Sequence, residues 1–182
     1  MGASLIILAA GQGTRMQSDM PKVLHKVAHA PLLAHAMHAG AALEPDRVVV
    51  VAGHGAEAVE KAVAEIDETA TVVIQEDRLG TGHAVAAARE ALDPLVDSGA
   101  ADLLVVFGDC PLMTSDTLQR MLDARRQVDA PDFVGLAFRP EDPAAYGRVI
   151  LDDPKAGEAG RIEKIVEFAD ADTAQRRIDL CN

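Results

Sequence analysis

The residues with the clearest chemical potential form a glycine-rich segment directly after the first apolar run of the chain, Leu5-Ile6-Ile7-Leu8. The segment reads Ala9-Ala10-Gly11-Gln12-Gly13-Thr14-Arg15-Met16. Its two glycines let backbone amides approach a phosphate closely, and the guanidinium of Arg15 can donate in a fork to phosphate oxygens. Lys22 follows and supplies a second cation. The pattern predicts phosphate binding at the end of a buried strand, where ligands bind in open α/β sheets.

Two common phosphate motifs do not fit this segment. It lacks the spacing and the lysine of a P-loop, and Met16 stands where a dinucleotide-binding fingerprint has its third glycine. The alternative is a glycine-rich turn with solvated cations. We favour phosphate binding because Thr14-Arg15-Met16 and Pro21-Lys22 both follow a buried strand.

A second candidate is the carboxylate of Asp109, which follows the apolar run 103–107 in the sequence Gly108-Asp109-Cys110-Pro111. A carboxylate at the carboxyl end of a strand can hold Mg²⁺, a hard ion that prefers oxygen ligands and nucleotide phosphates. The alternative is a turn aspartate that caps the next segment, and on Gly108-Asp109 alone the two are even. The phosphate segment in the same chain favours the metal. Cys110 is expected to be a small packed residue rather than a nucleophile.

Parallel strands must position these residues, because short apolar runs alternate with helical stretches along the first 128 residues. The runs are continuous rather than alternating, as expected for strands that are covered on both faces. The sequence predicts strands at 5–8, 47–51, 71–75 and 102–107, and helices at 31–43, 56–66, 81–92 and 115–128. This rhythm predicts right-handed crossovers and a mostly parallel sheet.

The rhythm changes after residue 130. Further strands are expected at 133–138, 148–151 and 161–167, and the short connection between the last two predicts antiparallel pairing. The predicted fold class is therefore α/β, a mostly parallel sheet flanked by helices with a small antiparallel excursion.

Composition limits the classes of function. Hydrophobic residues make up 49% and charged residues 25% of the chain, which is typical of globular proteins rather than disordered ones. The net charge of −12 argues against nucleic acid and anionic membranes as partners. Residues 1–40 reverse this sign, since they contain Arg15, Lys22 and Lys26 against Asp19 alone. The two cysteines and the lack of a long apolar run predict a cytoplasmic protein without a disulfide framework.

The segment 8–16, together with Pro21-Lys22, resembles the signature of sugar-1-phosphate nucleotidylyltransferases. Four further segments agree in the family's order: Gln75-Glu76-x-x-Leu79-Gly80-Thr81-Gly82-His83-Ala84, Gly108-Asp109-x-Pro111-Leu112, Tyr146-Gly147-Arg148-Val149 and Ile165-Val166-Glu167. The segments 81–84 and 146–148 are similar to those of the uridylyltransferases that make UDP-N-acetylglucosamine, rather than to thymidylyl- or guanylyltransferases. The resemblance covers nearly the whole chain and implies a Rossmann-like sheet of the GT-A type, whose antiparallel excursion binds sugar.

The resemblance also implies a reaction, in which UMP passes from UTP to N-acetylglucosamine-1-phosphate with Mg²⁺ as cofactor and pyrophosphate as the second product. Arg15 and Lys22 are the implied catalytic residues: Arg15 stabilises the leaving pyrophosphate and Lys22 contacts phosphates. The implied nucleotide-binding residues are Leu8, Ala9, Ala10, Gly11, Gly13, Thr14, Lys22, Gln75, Gly80 and Thr81. The amide of Gln75 offers a donor and an acceptor to uracil. The implied metal ligand is Asp109, and the implied sugar contacts are Gly147, Glu167 and Asn182.

Several of these residues also fit a purely structural interpretation. Gln75 alone is compatible with a polar group at a strand end, Thr81 with a helix N-cap and Glu167 with a solvated strand residue. The six histidines include pairs at helical spacing, but no acidic or cysteine partner completes a metal site, so we interpret them as surface or packed residues.

The chain departs from the family's pattern at Gln12, where a cation is frequent, at Phe107, where tyrosine is usual, and at its C-terminus. The family's uridylyltransferase domain continues beyond the asparagine matched by Asn182 and supplies a second metal-binding asparagine. We therefore expect residues 1–182 to form one nucleotidylyltransferase domain that is incomplete at its C-terminus and lacks an acetyltransferase β-helix. No oligomeric state is predicted. The alternatives are a non-catalytic nucleotide-binding fragment, or a nucleotidylyltransferase for another nucleotide or sugar phosphate.

Overall fold

The computed structural model of the chain describes residues 2–11, 13, 16, 18–77, 79–96, 101–127, 130–153 and 160–182. The chain forms two compact units, Met1–Val128 and Asp129–Asn182. Within the described ranges, no helix is long and apolar enough to cross a membrane.

The first unit is a parallel sheet flanked by helices. In chain order its elements are β1 (Gly2–Ala9), β2 (Lys26–Val27), β3 (Ala30–Pro31), α1 (Leu32–Ala41), β4 (Arg47–Ala52), α2 (Ala56–Ile66), β5 (Thr71–Ile74), α3 (Thr81–Ala87), α4 (Arg89–Val96), β6 (Ala101–Phe107) and α5 (Ser115–Arg125). Among the described residues the main sheet has the strand order β5-β4-β1-β6, and all neighbouring pairs are parallel. β2 and β3 form a separate antiparallel hairpin. The predicted α/β class with a mostly parallel sheet is confirmed.

The central strand β1 explains why the apolar runs of the sequence are continuous. Leu5 and Ile7 pack on one face of the sheet, and Ile6 and Leu8 pack on the other, because side chains alternate along a strand. The first face is covered by α1, α2 and α5, and the second by α3 and α4. Burial of each such aliphatic side chain stabilises the fold by about 1.5–3 kcal/mol. The loop that follows β1 therefore leaves a firmly held strand.

Three of the four predicted helices have different bounds in the structure, and the helix predicted at 31–43 spans Leu32–Ala41. The predicted helix 81–92 is divided into α3 and α4, because the backbone tightens at Ala88, whose N–H donates to the carbonyl of Val85, three residues back, at 3.1 Å. The predicted helix 115–128 ends earlier, at Arg125.

Helix α5 begins at a threonine N-cap, and this cap makes a testable contribution to stability. The Oγ1 atom of Thr114 accepts a hydrogen bond from the backbone N–H of Thr117 at 3.3 Å. Thr114→Ala is expected to lower the free energy of unfolding by about 1 kcal/mol, because that N–H loses its acceptor. Chemical denaturation measures the change. Ser115→Ala is the matched control, and an equal loss in both variants contradicts the cap assignment.

The second unit contains an antiparallel hairpin of β7 (Arg148–Leu151) and β8 (Ile162–Val166). Arg148 pairs with Val166 at the end of the hairpin where β7 begins. The antiparallel pairing predicted for these two strands is confirmed, although β8 is shorter at both ends than the predicted 161–167.

The prediction of a strand at 133–138 is wrong. Within this run, all of which the structure describes, only Phe138 has a strand-like partner: its N–H and C=O exchange hydrogen bonds with Cys181 at 3.0 and 2.8 Å. Phe133 is 67% exposed, so the apolar residues of this run do not share one buried face. An apolar run forms a strand only where a neighbouring strand pairs with it, and the isolated bridge at Phe138 does not extend into a ladder.

Candidate active site

A cavity of about 350 Å³ opens at the carboxyl ends of the parallel strands in the first unit. The residues that line it are Leu8, Ala10, Gly11, Lys22, Val23, Gln75, Gly80, Thr81, Ala84, Phe107 and Asp109. They come from the end of β1 and the loop after it, the connection from β5 to α3, and the residues around the end of β6. Most residues that the sequence analysis singled out in this unit therefore meet at one cavity. Ala9 is not among the lining residues, because it is 1% exposed within the core.

The loop after β1 packs against the aliphatic stem of Lys22. Gly13 has a φ of +60°, in the left-handed region, and a Cβ added to it would lie 2.8 Å from the Cβ of Lys22. A side chain at Gly13 would be strained and would displace the lysine stem. Gly11 is exposed, with nothing near the position of an added Cβ. Thr14 and Arg15, which the sequence analysis also placed in this site, lie outside the described residues, as does Gln12.

Lys22 and Asp109 form an ion pair in the lining of the cavity, with Nζ 2.5 Å from Oδ2. Lys22 begins a short 3₁₀ turn that is anchored by Val23, which is 3% exposed. Asp109 lies two residues beyond β6, and the N–H of Gly108 extends the β6 ladder by donating to the carbonyl of Leu8 at 2.9 Å. The two charged side chains are 40% and 29% exposed. An ion pair this open to water contributes about 0–1 kcal/mol to stability. The stability of the fold therefore depends little on this pair.

Cys110 is exposed, and the expectation that it is a packed residue is wrong. Its Sγ lies 3.8 Å from Oδ1 of Asp109. Desolvation of the thiol, followed by the negative charge of Asp109, raises the pKa of Cys110 above its usual range. The thiol is therefore protonated at neutral pH, which does not suit a nucleophile.

Gln75 is the buried polar residue of the cavity, 6% exposed and directly after β5. Its backbone N–H donates to the carbonyl of Ala52 at 2.8 Å. Its side-chain Nε2 lies 3.2 Å from the carbonyl oxygen of Gly80 and 3.1 Å from Nδ1 of His83. Gly80 has a φ of +98° and occupies the N-cap position of α3. Thr81 is therefore the first residue of the helix, and the alternative interpretation of Thr81 as an N-cap is wrong.

The three predicted sugar contacts lie within the second unit. Gly147 directly precedes β7 and Glu167 directly follows β8, so the pairing of the hairpin brings them to the same end. A Cβ added to Gly147 would overlap with Oδ1 of Asn182. Gly147 is thus in contact with Asn182, and Glu167 is exposed.

Arg148 has a structural position in the second unit. It is 1% exposed, and its guanidinium donates to the carbonyls of Tyr146 and, at 3.3 Å, of Arg176. The guanidinium carbon lies 5.5 Å from the centroid of the Phe168 ring, within cation–π distance. These contacts tie the start of β7 to the C-terminal segment that carries Asn182.

A parallel sheet with a cation, a carboxylate and a glycine loop at its carboxyl edge is compatible with several nucleotide-binding families, and comparison with known proteins decides among them. The model of the MobA-like NTP transferase domain matches residues 5–172. The chain belongs to this family.

The relatives of this MobA-like NTP transferase include the bifunctional protein GlmU of Ruegeria sp. (strain TM1040), which is 54% identical over 182 residues. The alignment covers 100% of the chain and 38% of that protein, so the chain spans well under half the length of this curated relative.

Two solved structures share the fold. A UDP-glucose pyrophosphorylase complexed with UDP-glucose has a TM-score of 0.72 and 18% identity, and the match covers 100% of this chain and 74% of that chain. Rv0371c from Mycobacterium tuberculosis H37Rv, in a complex with manganese, has a TM-score of 0.52 and 25% identity, and the match covers 68% and 59% of the two chains. The first comparison supports the α/β fold of the MobA-like family.

Several residues of this MobA-like site were not predicted as site residues from the sequence. Val23, Ala84 and Phe107 line the cavity, and His83 contacts Gln75. Ala84 lies one helical turn after Gly80, a spacing that could have indicated it. The contact of His83 with Gln75 had no sequence signal, because it depends on the path of the chain between β5 and α3.

Proposed function

We propose that this chain carries a uridylyltransferase site, which transfers UMP from UTP to N-acetylglucosamine-1-phosphate and releases pyrophosphate. The observation that carries the proposal is the Lys22–Asp109 pair, since it holds a partly exposed cation and a partly exposed carboxylate together beside a glycine loop. The motifs similar to those of UDP-N-acetylglucosamine-forming enzymes, and the 54% identity to a GlmU, support the choice of substrates.

Both substrates are polyanions, so the protein has to position them and offset their repulsion. An oxygen of the sugar phosphate attacks the α-phosphorus of UTP, and a new P–O bond forms. The bond from the α-phosphorus to the bridging oxygen breaks, and pyrophosphate leaves with the electron pair. Lys22 exchanges Asp109 for phosphate oxygens, and Arg15 stabilises the leaving group. The glycine loop, with Leu8, Ala9, Ala10, Gly11, Gly13 and Thr14, contacts the nucleotide and its phosphates.

Asp109 is the residue that we assign to Mg²⁺. Among the described residues, no group of three or more histidine, cysteine, aspartate or glutamate side chains could hold a metal ion. A single, partly exposed carboxylate beside a phosphate site nevertheless suits Mg²⁺, which one or two carboxylates usually hold together with substrate phosphates. When bound, the ion supplies neutralisation of phosphate charge. The manganese complex of Rv0371c, which shares the fold, supports the assignment of a divalent cation.

The remaining assignments concern the base, the sugar and the cellular context. We assign Gln75, Gly80 and Thr81 to the uridine. Gly147, Glu167 and Asn182 are assigned to the acetamido sugar. The net charge of −12 argues against nucleic acid or a membrane as partners, whereas the local charge of +2 in residues 1–40 supports small polyanionic substrates. We place the reaction in the cytoplasm, where its product would supply peptidoglycan synthesis.

A pyrophosphate-release assay tests the proposal directly. The purified chain is incubated with N-acetylglucosamine-1-phosphate, Mg²⁺ and one of UTP, CTP, GTP or dTTP. We expect turnover with UTP at a kcat/KM at least tenfold above that for the other nucleotides, and loss of turnover when EDTA removes the metal. Calorimetric binding of UTP without turnover would instead indicate a nucleotide-binding fragment, and a preference for GTP or CTP would contradict the base assignment.

A further inference from the structure

The side-chain amide of Gln75 has only one orientation that its surroundings permit. The carbonyl oxygen of Gly80, 3.2 Å away, can only accept a hydrogen bond, so the amide atom that faces it must be the NH₂ group. The opposite orientation would place two acceptors against each other. The backbone therefore decides which way this amide points.

His83 uses the second hydrogen of the same NH₂ group. Its Nδ1 atom lies 3.1 Å from Nε2 of Gln75, and with Nε2 as the donor this nitrogen must be the acceptor. This arrangement places the ring proton of His83 on Nε2. Both donors of the Gln75 amide are thus committed within the protein.

The side-chain oxygen of Gln75 is the hydrogen-bonding atom of this amide that remains available to a ligand. None of the described residues donates a hydrogen bond to Oε1 of Gln75, and Gln75 lines the cavity. An acceptor selects a base that presents an N–H group. Uracil carries a hydrogen on N3, whereas cytosine carries a lone pair there, so the same pose would oppose two acceptors for cytosine.

We propose that His83 is a positioning residue, which holds the amide of Gln75 so that its oxygen reads the N3–H of the base and thereby favours uracil over cytosine. The inference rests on the proposed function, because it takes the base-binding role of Gln75 from it. His83 itself is absent from the cavity lining and acts through Gln75.

The test compares two substitutions of His83 with side chains of similar shape, which differ in whether they can accept a hydrogen bond. Asparagine places an amide oxygen near the position of Nδ1 and can still accept from Gln75, whereas leucine places a methyl group there. The dissociation constants for UTP and CTP are measured by calorimetry for both variants and for the unsubstituted chain. We expect His83→Leu to lower the preference for UTP over CTP about five- to tenfold, as for the loss of one hydrogen bond, and His83→Asn to retain it. His54→Leu, an exposed histidine in the turn after β4, is the control and should leave the preference unchanged.

If His83 had a purely structural role, its substitution would change the dissociation constants for UTP and CTP by the same factor. Equal weakening of UTP and CTP binding in His83→Leu, or no change in either, overturns the inference while the proposed function stands. An unsubstituted chain without preference for UTP overturns the proposed function, and the inference with it. Nitrogen NMR of the histidines in the unsubstituted chain is independent of how the variants fold. We expect the His83 signals, identified by their loss in His83→Asn, to show Nδ1 unprotonated, and a proton on Nδ1 would overturn the inference.

Discussion

Asp109→Asn is expected to lower the rate of pyrophosphate release by about 10²–10³-fold at saturating UTP and sugar phosphate. Asparagine keeps the shape of the side chain at the end of β6 but removes the negative charge that would hold Mg²⁺. The side chain is 29% exposed and its pairing with Lys22 contributes little to folding, so the loss is expected in turnover and not in stability. Initial rates across a magnesium titration measure the effect.

The metal assignment has a readout that does not depend on turnover. Mn²⁺ binding in the presence of UTP, followed by electron paramagnetic resonance, is expected to weaken at least tenfold in Asp109→Asn. Asp116→Asn is the matched control, because Asp116 is an exposed carboxylate in the first turn of α5 and does not line the cavity. If Asp109→Asn retained both the metal affinity and the rate of the unsubstituted chain, Asp109 would be a turn aspartate and the metal assignment would be wrong.

The positions of the candidate residues along the sheet could be predicted because each follows a continuous apolar run. The run that became β1 is buried on both faces and the run that became β6 pairs beside it, and parallel strands bring their carboxyl ends to one edge of the sheet. The spacing of apolar residues is therefore sufficient to predict that the glycine loop, Gln75 and Asp109 meet at one edge of the sheet. The same logic failed at 133–138, where apolar residues have no neighbouring strand over most of their length.

Contacts between side chains could not be predicted in this way. Lys22 and Asp109 are 87 residues apart, and their pairing depends on how the 3₁₀ turn packs against the end of β6. The hydrogen bond of His83 to Gln75 spans only eight residues, but it requires the left-handed Gly80 to turn the chain back before α3 begins. The spacing of apolar residues and the sequence motifs predict which helix, strand or loop a residue lies on. Contacts such as these depend in addition on the geometry of the loops.

Lys22→Met is expected to lower kcat/KM for UTP by about 10²–10³-fold while leaving the free energy of unfolding within about 1 kcal/mol of its original value. Methionine keeps the aliphatic stem that packs against Gly13, so the substitution removes the charge and little else. The expected split between turnover and stability separates a phosphate-binding lysine from one that only supports the fold. Lys26→Met is the control, because Lys26 is exposed on β2 and outside the cavity lining. An equal loss of turnover in Lys26→Met would show that the effect comes from the change in net charge and not from a contact between Lys22 and phosphate.

The ion pair also predicts a change in UTP affinity on substitution of Asp109, in a direction that a purely structural role of the pair would not produce. In the absence of metal, Asp109 competes with phosphate for Lys22, since Nζ and Oδ2 are 2.5 Å apart. Asp109→Asn is therefore expected to bind metal-free UTP about two- to fivefold more tightly than the unsubstituted chain, which corresponds to the small free energy of a partly exposed ion pair. The gain should disappear in the double variant with Lys22→Met, because no cation is then released. A gain that persists without Lys22 would show that Asp109 repels the nucleotide directly, and that the pair does not hold the lysine back from phosphate.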